Sequence, residues 1–224
     1  MPAEIIIIAG PQAAGKSTVI TQLVTQYQNV TPFLSRTKKQ IPVMLPLQES
    51  RQIIVHKNVP LGGIFMTVED EKEVVECDLK RMDLILERND DNRLTYLDEC
   101  NIFTIAHAAA HGVTQISDFW EEYMRRLEKL DAKVIFLDVP PEVSWFRRQQ
   151  SYRDRLIYFP KNQHEQIMTR FRKYLEKLCP ELLNLYEELP LPKRKINANC
   201  PIETVLQKTG ESLVQISSFF QKNA

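Results

Sequence analysis

EIIIIAGPQAAGKST, residues 4–18, sets an apolar β-branched run directly before a glycine-bounded loop. Ile5 to Ile8 is short and uninterrupted, the pattern of a strand covered on both faces in a parallel sheet. Gly10 and Gly15 bound the loop, with Pro11, Gln12, Ala13 and Ala14 between them, and Val19, Ile20, Leu23 and Val24 predict a helix over Ser17–Tyr27. The stretch fits G-x-x-x-x-G-K-[ST] in the strand, loop and helix setting that the motif requires. In that setting the backbone N–H groups of Gly10, Pro11's successors Gln12, Ala13 and Ala14, then Gly15, Lys16, Ser17 and Thr18 curl round phosphates at a helix N-terminus. Lys16 reaches the outer phosphates, and Ser17 ligates Mg²⁺. The plainer alternative is an ordinary glycine turn, and the strand and helix on either side argue against it. Lys16 reads as a lysine with little burial to lose, so that removing it leaves the fold intact.

Outward from this loop, strands alternate with helices. Pro32–Arg36 reads as a second strand, and residues 40–66, with three prolines and Gly62-Gly63, read as loops and short strands. Val75, Leu79, Met82 and Leu86 recur at helical spacing in a helix that starts near Thr67 and ends at Asn89-Asp90-Asp91-Asn92. Leu94–Leu97 is a strand running into Asp98-Glu99. Asn101 then caps a short helix that Gly112 closes, and Ser117 caps another. Lys133–Val139 is a buried strand, followed by Pro140-Pro141 and a helix through Arg148. His164–Leu189 is helical with an interruption near Pro180, and Arg194–Ala198 is a last strand before a helix opened by Pro201. This order predicts one α/β domain over residues 1–224, a doubly wound, mostly parallel sheet with helices on both faces.

Two clusters add chemistry to the loop. Asp98 falls at the carboxyl end of a buried strand, where ligands bind in open α/β sheets, and is a candidate base, acceptor-binding carboxylate or metal ligand beside Ser17. The plainer reading is that Asp98 caps the helix after it. Arg147, Arg148, Arg153 and Arg155 crowd a polar helix-loop stretch, and phosphoryl transfer needs cationic groups that meet the transferred oxygens when the site closes. Residues 145–160 therefore read as a lid, with Arg147 and Arg148 on the nucleotide and Arg153 and Arg155 catalytic beside Lys16 and Asp98. A solvated helix face is the alternative.

The chain has 29 Lys plus Arg and 29 Asp plus Glu among 224 residues, net charge +0, which argues against a nucleic-acid surface. Its four cysteines lack metal spacing, its longest apolar run is too short for a membrane span, and Met1-Pro2-Ala3-Glu4 lacks a basic flank. The expectation is a reduced, cytoplasmic protein that does not bind membranes. His107 and His111 stand at i, i+4 without the glutamate or third ligand of a metal site, and read as packing or solvent-facing. Phe103, Trp120, Trp145 and Phe146 read as core before they read as base-stacking residues.

The N-terminal phosphate loop, the acidic strand followed by CNIFTIAHA, the FLDVPPEV strand with arginines behind it, and the closing INANCPIETV together resemble the thymidylate kinase and deoxynucleoside kinase group. The resemblance covers both ends and most of the second half. It implies a five-stranded parallel sheet with a lid, a homodimer among the assemblies open to it, and Mg²⁺-dependent transfer of the ATP γ-phosphate to a nucleoside, a nucleoside monophosphate or a similar small acceptor. One departure matters: Glu99 stands where thymidylate kinases carry an arginine that holds the acceptor's phosphate. A hydroxyl acceptor does without that arginine, or Arg36, Lys38 or Arg51 replaces it. The rival reading is a nucleotide-binding, ATPase-like switch acting on a protein partner, with Glu99 positioning a hydrolytic water.

Overall fold

In the computed structural model, which describes residues 4–27, 30–33, 67–88, 95–99, 101–154 and 156–223, the isoleucine run is the centre of the molecule. Strand β1 (Glu4–Ala9) is flanked by β3 (Thr95–Glu99) and β4 (Lys133–Asp138). Outside these lie β2 (Val30–Phe33) and β5 (Lys193–Asn197), giving the order β2-β3-β1-β4-β5 with every pairing parallel. Because all strands run the same way, their carboxyl ends share one edge. That edge carries the loop after Ala9, the acidic pair, Asp138 and Asn197.

Side chains alternate across the sheet, so the unbroken run divides between two cores. Ile6 and Ile8 join Val19, Ile20 and Leu23 of α1 (Lys16–Gln26), Val205 and Leu213 of α7 (Ile202–Ile216), and Phe220 of α8 (Ser218–Asn223). Ile5 and Ile7 face the other way, into α2 (Val68–Arg88), α3 (Thr104–Ala110), α4 (Trp120–Lys129) and α6 (His164–Glu188). Each isoleucine of the run is 0 % exposed, worth about 1.5–3 kcal/mol apiece. A charged network closes the amino edge of the sheet: Ser217 Oγ donates to Glu4 at 2.7 Å, and Lys133 pairs with Glu4 at 2.9 Å.

Several element limits differ from the sequence expectation for identifiable reasons. The second strand is Val30–Phe33, ending at Asp98's level in β3, and residues 34–36 lie outside the described residues. Pro180 does not interrupt α6, which runs through it. Proline lacks an N–H for the carbonyl one turn back, but Pro180 and Glu176 are both exposed, so that carbonyl faces water while Leu178, Leu182 and Leu185 anchor the helix. Ser117 caps nothing: its hydroxyl donates back to Thr114 O at 2.7 Å inside a 3-10 turn. The helix after β4, α5, extends over Pro141–Arg153, past Arg148, so that Arg153 belongs to it.

Candidate active site

The loop after β1 makes its tight turn where only special backbone geometry serves. Gly10 has φ 136°, and a Cβ there would stand 2.3 Å from Leu137 O of β4, so glycine lets two strands' ends meet. Gly15 has φ 96°, and Ala13, not a glycine, has φ 59°. The loop then enters α1 at Lys16.

Lys16 is 7 % exposed, not the lightly buried lysine expected from sequence. Its ammonium donates to Gly10 O and Pro11 O, both at 2.9 Å, and stands 3.9 Å from Glu99 Oε1. Ser17 Oγ donates to Glu99 Oε2 at 3.1 Å. Glu99 therefore meets the glycine-bounded loop through both of its carboxylate oxygens.

The β1–β3 register explains why. Glu99 is opposite Ile8, on the α1 face, whereas Asp98 is opposite Ile7, on the face covered by α2, α3 and α6. The hydrogen bond from Ser17 goes to Glu99, on the α1 face, while Asp98, the expected partner, lies on the opposite face. Asp98 is 0 % exposed and accepts a hydrogen bond from Asn101 Nδ2 at 2.7 Å, while Asn101 Oδ1 accepts from Ile102 N at 2.8 Å. Asn101 adopts φ 47°, so the turn after β3 is a left-handed one held by its own carboxamide. It precedes a 3-10 turn, and α3 begins only at Thr104.

Helix α5 lies against the loop. Ser144 Oγ donates to Gln12 O at 2.6 Å, Tyr152 OH donates to Gln12 Oε1, and Arg147 Nη1 donates to Ala198 O at 3.1 Å, with a longer 3.4 Å contact to Ala13 O. Arg148 stands over the Tyr152 ring, Cζ 5.6 Å from its centroid, and its buried Nε has no hydrogen-bond partner among the described residues. Arg153 is exposed at the end of the helix. Arg155, the segment 40–66, and Arg36, Lys38 and Arg51 lie outside the described residues.

Most of the remaining candidates resolve into packing; Phe146, expected in the core, is exposed instead. His107 Nδ1 meets Tyr174 OH at 2.6 Å, and His111 Nδ1 meets Glu71 Oε1 at 2.7 Å while its ring stacks on Tyr174. Among the described residues no group of three or more His, Cys, Asp or Glu is placed to hold a metal ion. Phe103 is fully buried, Trp120 and Trp145 pack on the core, and Phe146 is exposed. Sequence reasoning missed Ser144 and Tyr152, which share a stripe of α5 with Arg148 at i, i+4, i+8. That spacing was readable, but their partner lies 132 and 140 residues away.

Sheet order, loop and acidic strand end together define an α/β fold with a glycine-bounded loop at the carboxyl edge of a parallel sheet. No protein-family model matches the chain, and no curated protein matches it in sequence. Its structure is similar to that of deoxyadenosine kinase from M. mycoides, solved with the products dCMP and a flexible dCDP bound. The TM-score is 0.58 at 13 % identity, over 95 % of this chain and 100 % of that one. What the two share is the fold. No helix among the described residues is long and apolar enough to cross a membrane.

Proposed function

We propose that this protein is a nucleoside kinase-like phosphotransferase that moves the γ-phosphate of ATP to a hydroxyl of a nucleoside or similar small acceptor. The observation that carries the reading is the convergence of Lys16, Ser17 and Glu99 at one glycine-bounded loop. The loop N–H groups and the N-terminus of α1 bind the donor's phosphates. Lys16 exchanges its two loop carbonyls for phosphate oxygens. Ser17 and Glu99 are hard oxygen donors 3.1 Å apart, which fits Mg²⁺ held by few protein ligands and completed by phosphates. When bound, the ion neutralises charge on the phosphate oxygens. Glu99 also orients the acceptor's hydroxyl, and Asp98, bonded to Asn101, keeps the turn behind Glu99 in place.

Arg148, with a buried donor unspent, and Arg153, at the helix end, supply positive charge to the transferring group as the expected lid, with Arg155 as a third cation. Arg147 steadies the loop between Ala13 and Ala198, a place for the donor nucleotide's base or sugar. An acidic residue beside Ser17, in place of an acceptor-phosphate arginine, favours a hydroxyl acceptor over a monophosphate. The protein is incubated with Mg²⁺-ATP and a pooled set of nucleosides and nucleotides, and mass spectrometry identifies any acceptor that gains a phosphate. A phosphorylated nucleoside is expected. Release of inorganic phosphate at the same rate with and without acceptors refutes the kinase reading and supports the switch, since Glu99 is equally near the loop to polarise water.

A further inference from the structure

The peptide carbonyls of residues 10 to 13 all accept from side chains, and those side chains divide into two kinds. Gly10 O and Pro11 O accept from Lys16 Nζ, a group that leaves them when phosphate arrives. Gln12 O accepts from Ser144 Oγ at 2.6 Å, and Ala13 O takes the longer contact from Arg147 at 3.4 Å. These belong to α5 and stay. Ser144 is 0 % exposed, and Tyr152, two turns further along the same stripe, is 2 % exposed and stacked on Phe171 with ring centroids 3.9 Å apart. The tyrosine hydroxyl fixes the Gln12 side chain by the same grip.

What this grip opposes is a specific rotation. Ala13 sits at φ 59°, a left-handed conformation that disfavours any residue with a Cβ. Relaxing that angle turns the Gln12–Ala13 peptide about the Ala13 N–Cα bond. The Gln12 carbonyl then swings and the Ala13 N–H turns with it, so a loop that presents donors to an anion would lose one or present an acceptor instead. A hydrogen bond to that carbonyl from a buried, rigidly placed hydroxyl holds the strained angle.

We propose that Ser144, reinforced by Tyr152, is a positioning residue that locks the Gln12–Ala13 peptide with its carbonyl directed to α5, keeping the phosphate loop ready for the nucleotide before it arrives. The proposal rests on the nucleotide reading of that loop. Because α5 also carries Arg147, Arg148 and Arg153, one helix sets the loop and delivers the cations.

Calorimetric titration of Mg²⁺-ATP into the full chain tests this with wild type, Ser144→Ala, Tyr152→Phe and Lys16→Ala. Ser144→Ala is expected to raise Kd about tenfold and Tyr152→Phe about threefold, both at a stoichiometry near one. A purely structural role would instead lower the melting temperature and the fraction of competent sites while leaving Kd unchanged. Should Ser144→Ala not fold, Tyr152→Phe, which keeps the ring stack and loses one oxygen, decides the matter. Kd within about twofold of wild type in the folded variants overturns the proposal. Failure of the underlying reading is distinct: wild type takes up no Mg²⁺-ATP, or Lys16→Ala binds it as well as wild type does, and either result overturns both.

Discussion

Replacing Lys16 with alanine in the nucleotide-free protein perturbs more than a ligand contact. The ammonium is 7 % exposed and satisfies two loop carbonyls at 2.9 Å while standing 3.9 Å from Glu99. Charge-assisted hydrogen bonds contribute about 1.5–3 kcal/mol each, and removing one member of a buried ion pair costs about 3–5 kcal/mol. These contributions overlap. Glu99 keeps the Ser17 hydroxyl, and the buried lysine's own desolvation cost disappears with it, so the net loss is about 3 kcal/mol. In a protein of this size a kilocalorie corresponds to about 2–4 °C, so the melting temperature falls by about 6–12 °C without nucleotide. Thermal unfolding of wild type and Lys16→Ala, with no ligand present, measures it. Adding Mg²⁺-ATP at about 100 times Kd stabilises wild type by a further 2.7 kcal/mol or so and leaves the variant where it was. A nucleotide-free variant that melts within about 2 °C of wild type refutes the reasoning, because the ammonium would then be in water, not on the loop carbonyls.

Glu99→Gln is expected to lower phosphoryl transfer about 10²–10⁴-fold, while Asp98→Asn costs only a few-fold and mainly stability; steady-state kinetics on the identified acceptor gives the ranking, and the reverse order returns the chemistry to Asp98. Arg153→Gln should reduce kcat at least tenfold with Mg²⁺-ATP affinity within a few-fold of wild type, and an unchanged kcat makes this residue part of a solvated face. Gly10→Ala places a Cβ 2.3 Å from Leu137 O at φ 136°, so expression and circular dichroism should report a protein that does not fold, or a loop that no longer binds Mg²⁺-ATP. Burial pushes the Cys179 thiol up to about 12 from 9.0, so alkylation mapped at mildly alkaline pH should modify half-exposed Cys200 and spare Cys179 until denaturant is added. Between those pH values the unfolded thiol releases a proton that the native one keeps, so wild type loses stability relative to Cys179→Ala as pH rises.

The chain's local patterns carried the architecture. Four successive isoleucines, short and β-branched, fit a strand buried on both faces, and the glycines at the ends of the loop mark a turn because φ angles of 136° and 96° strain any residue with a Cβ. Helical spacing likewise placed Val75, Leu79 and Met82 in the core. Pro180 misled for a local reason: its cost in a helix is a missing hydrogen bond, and exposure on that side, which no sequence window displays, lets water replace it.

By itself, then, the sequence determined the parallel α/β order and the glycine-bounded loop between β1 and α1, since both follow from contacts between residues a few positions apart. Which acid faces that loop was decided only by tertiary structure. Asp98 and Glu99 are neighbours in the chain, and the register of β3 on β1, a pairing across some ninety residues, sends one to each side of the sheet. The same holds for Ser144 and Tyr152, whose stripe along α5 has meaning only once the fold brings Gln12 beside it, more than 130 residues away. Side-chain chemistry is written locally, but the partner that gives it a task is chosen by long-range packing.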